Sequence, residues 1–549
     1  MMSLSLQRLF KLTSFLVVIV FTSFLLSACN ETRSSDKAEE NKANATKAKV
    51  LQFSSSHDIG ELNPHMYSPN QMFAQDMVYE PLVRYTEGGK VVPHLAEKWQ
   101  ISDDGKDYTF FLRKDVKFSD GSVFNADDVV KNFNAVLANK KRHSWLELVN
   151  QIKEVSKVDE YTVKVSLHNP YYPMLQELSL IRPIRFLGLG GFPDDGNTSE
   201  GIKAPIGTGP WVLTDYKKDE YAEFSRNENY WGEKPKIDKI HIAIIPDGES
   251  RVLAFEKQDI DLIFGSDSIS LDSYKFLKES GKYETAISQP IYTRTVALNT
   301  NKGPTKDINV RKAIEHAFNK QVVINKIFYG TEKQADTLFP TNFPYSDVKL
   351  TPYVYDVNQA NKLLDDAGWV LPAGKEFREK DGMPLELELC FDSANNVHKA
   401  IAEVLQGDFR KIGMNVKLVG EESQLFGQRQ TNGNFNMIFS DTFGTPYDPH
   451  SMISSMRVPS HADYQAQVGL SMKKELDLKI EEALISTNEK TRQDLYNYIL
   501  GTLHDQAVYL PISYATNLTV YHKNIKGVGF GQMNSEIPFV KMDKEIGVN

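Results

Sequence analysis

The chain is 549 residues long with 41% hydrophobic residues, enough to bury more than one core, so two or three domains with room for a cleft between them are expected. A formal net charge of −9 and the lack of any clustered basic stripe exclude a general nucleic-acid binder. Only two cysteines occur, Cys29 and Cys390, which excludes a disulfide framework and a multi-cysteine zinc or iron–sulfur centre.

At the N-terminus, Arg8 and Lys11 precede an apolar run from Leu12 to Leu26. A charged front and a short hydrophobic core are the pattern of a secretory signal, and the run is on the short side for a membrane span. It ends in Leu26-Ser27-Ala28-Cys29, which resembles the lipobox of bacterial lipoproteins, where cleavage precedes the cysteine and its thiol receives a diacylglyceryl group. Residues 1–28 are therefore expected to be a signal peptide and Cys29 the lipidation site. Residues 29–49 are polar and contain nothing that could form a core, so they read as a flexible tether from the lipid to the folded body.

The folded body opens at residue 50 with a strand-like run and passes through Asn63-Pro64 into an aromatic, methionine-rich segment holding Tyr67 and Met72. Two Asp-Gly pairs, Asp104-Gly105 and Asp120-Gly121, separate alternating apolar segments and predict hairpins. A helix follows, capped by Asn125, with Val129, Phe133, Val136 and Leu137 on one face. Further on, Asp307 is placed to cap a long helix with Val310, Ile314, Phe318 and Val322 inward. The run LELELC, a helix through Ala400 to Lys411 stopping at Gly413, and NVKLVG form a strand–helix–strand unit, which predicts a parallel pair with Cys390 as a small core residue. Phe435, Met437, Ile438 and Phe439 then read as a buried strand that breaks at Gly444, Pro446 and Pro449 into a long loop ending near Asp463. That loop carries Phe443, Tyr447, His450, Arg457 and His461, a mixture suited to gripping something small and polar.

Signatures of catalysis are missing: the chain contains no G-x-S-x-G, no H-E-x-x-H, no Walker loop and no C-x-x-C. GLGG at Gly188 and GTGP at Gly207 are too short for nucleotide loops, and the second reads as a turn. His504-Asp505 lies in a surface helix, and adjacent residues rarely face each other as a dyad needs. A binding protein is expected rather than an enzyme, with a surface hydrolase as the alternative from another class.

The segment KDYTFFLRKDVKFSDGSVFNADDVV resembles the signature region of the family 5 extracytoplasmic solute-binding proteins, which carry peptides, nickel and related solutes to ABC importers. PIGTGPW, RNENYWGEKPKIDKI and AFEKQDIDLIFG agree, and the resemblance covers nearly the whole mature chain. LNPHMYSPNQMFAQDMVYEPLV, RHSWLELVNQI, YYPMLQELSLIRPIRF and SSMRVPSHADYQAQ resemble the nickel-binding members more closely. The resemblance implies an α/β, two-lobed periplasmic-binding-protein-like fold with mixed sheets and a ligand cleft between lobes. It places lobe I at 50–290, with 510–549 returning to it, and lobe II at 291–509. It also implies a monomer held at the membrane by its lipid and handing its ligand to an ABC permease, with no cofactor of its own.

Imidazole suits borderline divalent metals such as nickel, but one histidine cannot fill an octahedral shell, and the chain shows no tight His/Asp/Glu cluster. A metal already wrapped in a small carboxylate chelator, free histidine being one possibility, needs one further ligand plus recognition of the carboxylates, for which arginine's fork is suited. Carried over residue by residue, the resemblance implies Arg142, Trp145, Arg182 and Tyr447 as chelator contacts, His461 as the metal ligand, and Met72 and Tyr67 as walls. Where the nickel-binding pattern has a tryptophan, this chain has Phe443, so chelator preference is expected to differ there. Each position also has a plainer reading: Arg142 follows Lys140 and Lys141 in a basic patch, Arg182 in its apolar setting needs a partner that an internal carboxylate could supply, and His461 by itself is a surface histidine. His450 and His65 rank second as ligands. A peptide carrier would offer an acidic residue near Tyr447; Thr445-Pro446 stand there instead, while Asp441 and Asp448 keep that alternative open.

Overall fold

The Asp-Gly pairs and alternating segments form the expected hairpins. Strands Ala96–Ile101 and Asp107–Leu112 pair antiparallel around Asp104-Gly105, and Gly105 takes the left-handed conformation that favours glycine (φ 69°). With Thr162–Leu167 and Ile152–Asp159 they make a four-stranded antiparallel sheet whose inner side chains Phe110, Leu112, Val163 and Val165 are buried. Helix Ala126–Ala138 lies over it, begun by a capping box in which Asn125 and Asp128 satisfy each other's end of the first turn, and buries Val129, Phe133 and Val136.

A second four-stranded sheet sets Val50–Ser55 parallel to Lys239–Ile244 and continues antiparallel through Tyr221–Arg226 to Trp211–Lys217. The computed structural model describes residues 48–547; the predicted signal peptide, Cys29 and nearly all of the tether lie outside them. Among the described residues no helix is long and apolar enough to cross a membrane.

A six-stranded mixed sheet, ordered Lys333–Gln334, Tyr509–Ala515, Tyr292–Leu298, Met437–Phe439, Glu386–Asp392 and Asn415–Glu421, holds the parallel pair expected from LELELC and NVKLVG. The intervening helix runs Asn396–Arg410, with Gly413 in the left-handed conformation just beyond its end (φ 78°), and Cys390 is fully buried. A three-stranded sheet is made of Leu262–Phe264, Leu518–Tyr521 and Glu284–Ile287; the chain enters the six-stranded sheet from Glu284–Ile287 into Tyr292–Leu298 and leaves it from Tyr509–Ala515 into Leu518–Tyr521. The architecture is α/β with mixed sheets.

Two local expectations need correction. Asp307 does cap a helix, but Ile308–Ala317 ends at Phe318, which turns to an extended conformation, and a separate helix Lys320–Lys326 follows. The break rotates the helical register, so Val322 is 38% exposed while Phe318 stays buried. The stretch from Phe439 to Asp463 is also less open than a loop, since it winds into short helices His450–Ser455 and Ala462–Gln467. The GTGP turn has a steric cause. A Cβ on Gly207 would come within 2.0 Å of the Val78 carbonyl oxygen, and one on Gly209 within 2.6 Å of that of Met77. Backbone cannot yield there cheaply, so Gly207→Ala is expected to destabilise by about 3 kcal/mol, measured as a lower midpoint in urea unfolding.

Candidate functional site

Side chains from four separate segments meet in a cleft of about 340 Å³ lined by Tyr67, Met72, Arg142, Trp145, Arg182 and Tyr447. Tyr67 sits on the irregular stretch before helix Met72–Val78, where Asn63-Pro64 and Ser68-Pro69 forbid continuous helix or strand and Asn70 closes a turn by donating from its backbone to the Tyr67 carbonyl at 3.0 Å. Arg142 and Trp145 follow helix Ala126–Ala138, in the short turn Lys140–His143 and just beyond it. Arg182 comes from the segment after helix Met174–Leu178, and Tyr447 from the loop between strand Met437–Phe439 and helix His450–Ser455.

Tyr67 is the centre of the arrangement. The guanidinium carbons of Arg142 and Arg182 lie 5.4 and 5.3 Å from its ring centroid, and the Trp145 ring meets it edge-on at 5.9 Å. Trp145 Nε1 donates to the Tyr67 hydroxyl at 2.6 Å, and the indole packs against Tyr447 at 6.1 Å. Met72 Sδ accepts from Ser535 Oγ at 3.6 Å. Arg182 finds no internal carboxylate: its Nη1 donates to the Asn70 carbonyl at 2.9 Å, and burial lowers its pKa from the ordinary arginine value. Among the described residues neither Arg142 nor Arg182 has a carboxylate within 4.0 Å. Burial raises the pKa of Tyr447, so its phenol stays neutral. The cleft therefore presents two positive forks on an aromatic wall with no negative charge opposite, a setting that attracts a carboxylate-bearing anion.

Phe443 and His461 are not in this cleft. They line a neighbouring one of about 790 Å³, together with His398, Ser440, Asp441 and Asp463. The segment from Phe439 to Tyr447 thus contributes to both. His461 is exposed at the start of helix Ala462–Gln467. His398 Nε2 donates to Asp441 Oδ2 at 2.9 Å and its ring stacks on Phe439 at 4.2 Å, while Asp463 accepts from Tyr509 and Ser440 and burial raises its carboxyl above the usual range. Among the described residues no three His, Cys, Asp or Glu side chains are grouped to hold a metal by themselves.

The second-rank histidines are core residues. His65 bonds Thr198 and Asn132 through its two ring nitrogens, each at 2.9 Å, and burial pushes its pKa down to about 4. His450 is buried with Nε2 3.5 Å from Glu177. Both acids that kept a peptide ligand in view are occupied. Asp441 accepts from His398 and from the Thr295 backbone at 3.1 Å. Asp448 turns inward to accept from the backbones of Phe443 and Gly444 at 3.2 and 2.7 Å, and burial pushes its carboxyl up to about 7. Sequence reasoning passed over His143, Asn70 and His398. Nothing in the chain marks Asn70 or His398, whereas His143 is adjacent to Arg142 and could have been suspected.

Residues 90–464 match the bacterial extracellular solute-binding proteins, family 5 Middle. A nickel-binding periplasmic protein of Escherichia coli (strain K12) is 50% identical over 483 residues, 88% of this chain and 92% of that protein. The crystal structure of NikA from Brucella suis in complex with Fe(III)-EDTA is 52% identical, with a TM-score of 0.87 over 90% of this chain and 100% of that one. That of NikZ from Campylobacter jejuni in complex with Ni(L-His) is 25% identical, with a TM-score of 0.70 over 90% and 99% of the two chains. With two uncompensated arginines lining its cleft and a match that runs through most of its length, the chain belongs to the family 5 bacterial extracellular solute-binding proteins, whose work is binding rather than catalysis.

Proposed function

We propose that this protein captures nickel as a complex with a small carboxylate-bearing chelator, L-histidine being a candidate, and delivers it to the permease of an ABC importer. The observation that carries the reading is the pair Arg142 and Arg182, held against Tyr67 without a carboxylate partner among the described residues. The similar proteins support it: one is a nickel-binding periplasmic protein, one holds Fe(III)-EDTA and one holds Ni(L-His). Chelator carboxylates pair with the two guanidiniums while aromatic faces of Tyr67, Trp145 and Tyr447 enclose the organic part. His461 is the additional metal ligand in this reading. It reaches the complex from the neighbouring cleft as lobe II, 291–509, closes on lobe I, 50–290 with 510–549. The protein works as a monomer outside the cytoplasm, tethered through lipidated Cys29.

Isothermal titration with nickel alone, nickel plus L-histidine, and di- and tripeptides tests the reading. Saturable binding of the nickel–histidine complex is expected, and tight peptide binding without response to nickel complexes overturns it. His461→Ala should weaken the nickel complex by about 10–100-fold, the range that even outer-shell changes cost a metal site. Its melting temperature should hardly move, since the side chain is exposed. Unchanged affinity removes His461 from the ligand set.

A further inference from the structure

The Tyr67 hydroxyl lies between two nitrogens, Trp145 Nε1 and His143 Nδ1, each at 2.6 Å. An indole nitrogen can only donate, so Tyr67 Oη accepts from Trp145. Were His143 Nδ1 also to donate, the oxygen would face two hydrogens and its own hydrogen would be left without a partner. The arrangement that pairs the Tyr67 hydrogen runs one way: Trp145 N–H to Tyr67 O–H to a bare lone pair on His143 Nδ1, with the imidazole hydrogen on Nε2, which has no hydrogen-bond partner among the described residues. Burial, helped by the adjacent Arg142 charge, pushes the His143 pKa down to about 4, so the ring is neutral at neutral pH and one of its two nitrogens carries a bare lone pair.

We propose that His143 is a positioning residue of the ligand cleft: by accepting the Tyr67 hydroxyl hydrogen it holds the Tyr67 ring, and through that ring the Trp145 indole, in the orientation that receives the ligand. His143 is 1% exposed and stands behind the wall, so it acts through Tyr67 and not by touching the ligand. Trp145 needs such an anchor because it is 50% exposed, and its Nε1 bonds no other group among the described residues. The relay also sets the chemistry of the wall. It uses the Tyr67 and Trp145 hydrogens internally, which leaves the two guanidiniums to meet the ligand's carboxylates. This inference rests on the reading of the cleft as a chelate site, but its hydrogen-bond core exists without ligand.

Two substitutions separate an acceptor from a space filler. His143→Leu keeps most of the volume without an acceptor, whereas His143→Asn is smaller but offers an amide oxygen near the place of Nδ1. Titration with the nickel–histidine complex should show His143→Leu and Tyr67→Phe each weaker by about tenfold and the double variant no weaker than either, with His143→Asn within about threefold of the parent. In the ligand-free protein, the Trp145 resonance among the five ¹⁵N-labelled indoles should move in His143→Leu and in Tyr67→Phe and stay in place in His143→Asn. Additive losses, or an Asn variant that binds worse than the Leu variant, overturn the proposal, because packing alone predicts them. If the parent binds no nickel complex, the functional reading fails and the indole resonance still decides the relay: a signal unmoved in His143→Leu or, should that variant not fold, in Tyr67→Phe overturns it.

Discussion

Replacing Arg182 by alanine is expected to weaken binding of a carboxylate-bearing nickel complex by about 100-fold, the equivalent of roughly 2.7 kcal/mol and within the range for a charge-assisted bond to a partly buried group. Arg182 is half-buried, lies over the Tyr67 ring and bonds only one neutral carbonyl, so its charge is desolvated without being neutralised. A carboxylate arriving there replaces lost water and adds Coulomb attraction that salt screens poorly. Arg142 shares the cleft but is exposed, so Arg142→Ala should cost nearer tenfold and lose its effect sooner as ionic strength rises. Lysine should not restore Arg182, because a point charge cannot form two parallel bonds to a carboxylate. Titration calorimetry at low and high salt measures all three variants. Equal affinity of Arg182→Ala and the parent would falsify anion recognition at this cleft.

The largest effect on stability is expected at Arg294. Its guanidinium lies in strand Tyr292–Leu298 and donates to Glu332 through Nε at 3.0 and 3.1 Å and through Nη2 at 2.9 Å, while Ser513 Oγ of the returning strand donates to the same carboxylate at 2.5 Å. Arg294 and Glu332 are both buried, and the rings of Tyr292 and Phe328 each lie 5.2 Å from the guanidinium. Glu332 therefore ties strand Tyr292–Leu298, through Arg294, to strand Tyr509–Ala515, through Ser513, at one point. Arg294→Ala leaves a buried carboxylate with one hydroxyl as its remaining donor among these contacts, and should destabilise by about 3–5 kcal/mol. The double change Arg294→Met with Glu332→Leu should recover most of that loss, since an apolar pair carries no desolvation cost. Urea unfolding midpoints measure both. A single variant as stable as the parent would show that water reaches Glu332 and that the pair contributes little.

Local structure was legible wherever a residue acts through its own neighbours. Asn125 starts its helix because its side chain and that of Asp128 are three residues apart, and Gly105 turns its hairpin because it accepts a positive φ. The parallel pair around helix Asn396–Arg410 followed from a helical segment between the two apolar runs, long enough to carry the chain back so that the second strand starts beside the first. Where distant packing decides, the local signal misled. Val322 continues the apolar spacing of helix Ile308–Ala317 in sequence but falls beyond the break at Phe318 and faces solvent.

The candidate site divides in the same way. Its forked cations, aromatic faces and imidazole were singled out through the family resemblance, since taken alone Arg142 reads as a basic patch and His461 as a surface histidine; the absence of any enzymatic motif was readable from the chain itself. Only the tertiary structure decided that residues as far apart as Tyr67 and Tyr447 share one cleft, that Phe443 and His461 line the next, and that Asp441 and Asp448 are already engaged. Composition and spacing determine which bonds a segment can make with itself. Whether a charge meets a partner depends on chain segments brought together by folding, and for Arg182 the described residues supply a carbonyl and a tyrosine ring but no carboxylate.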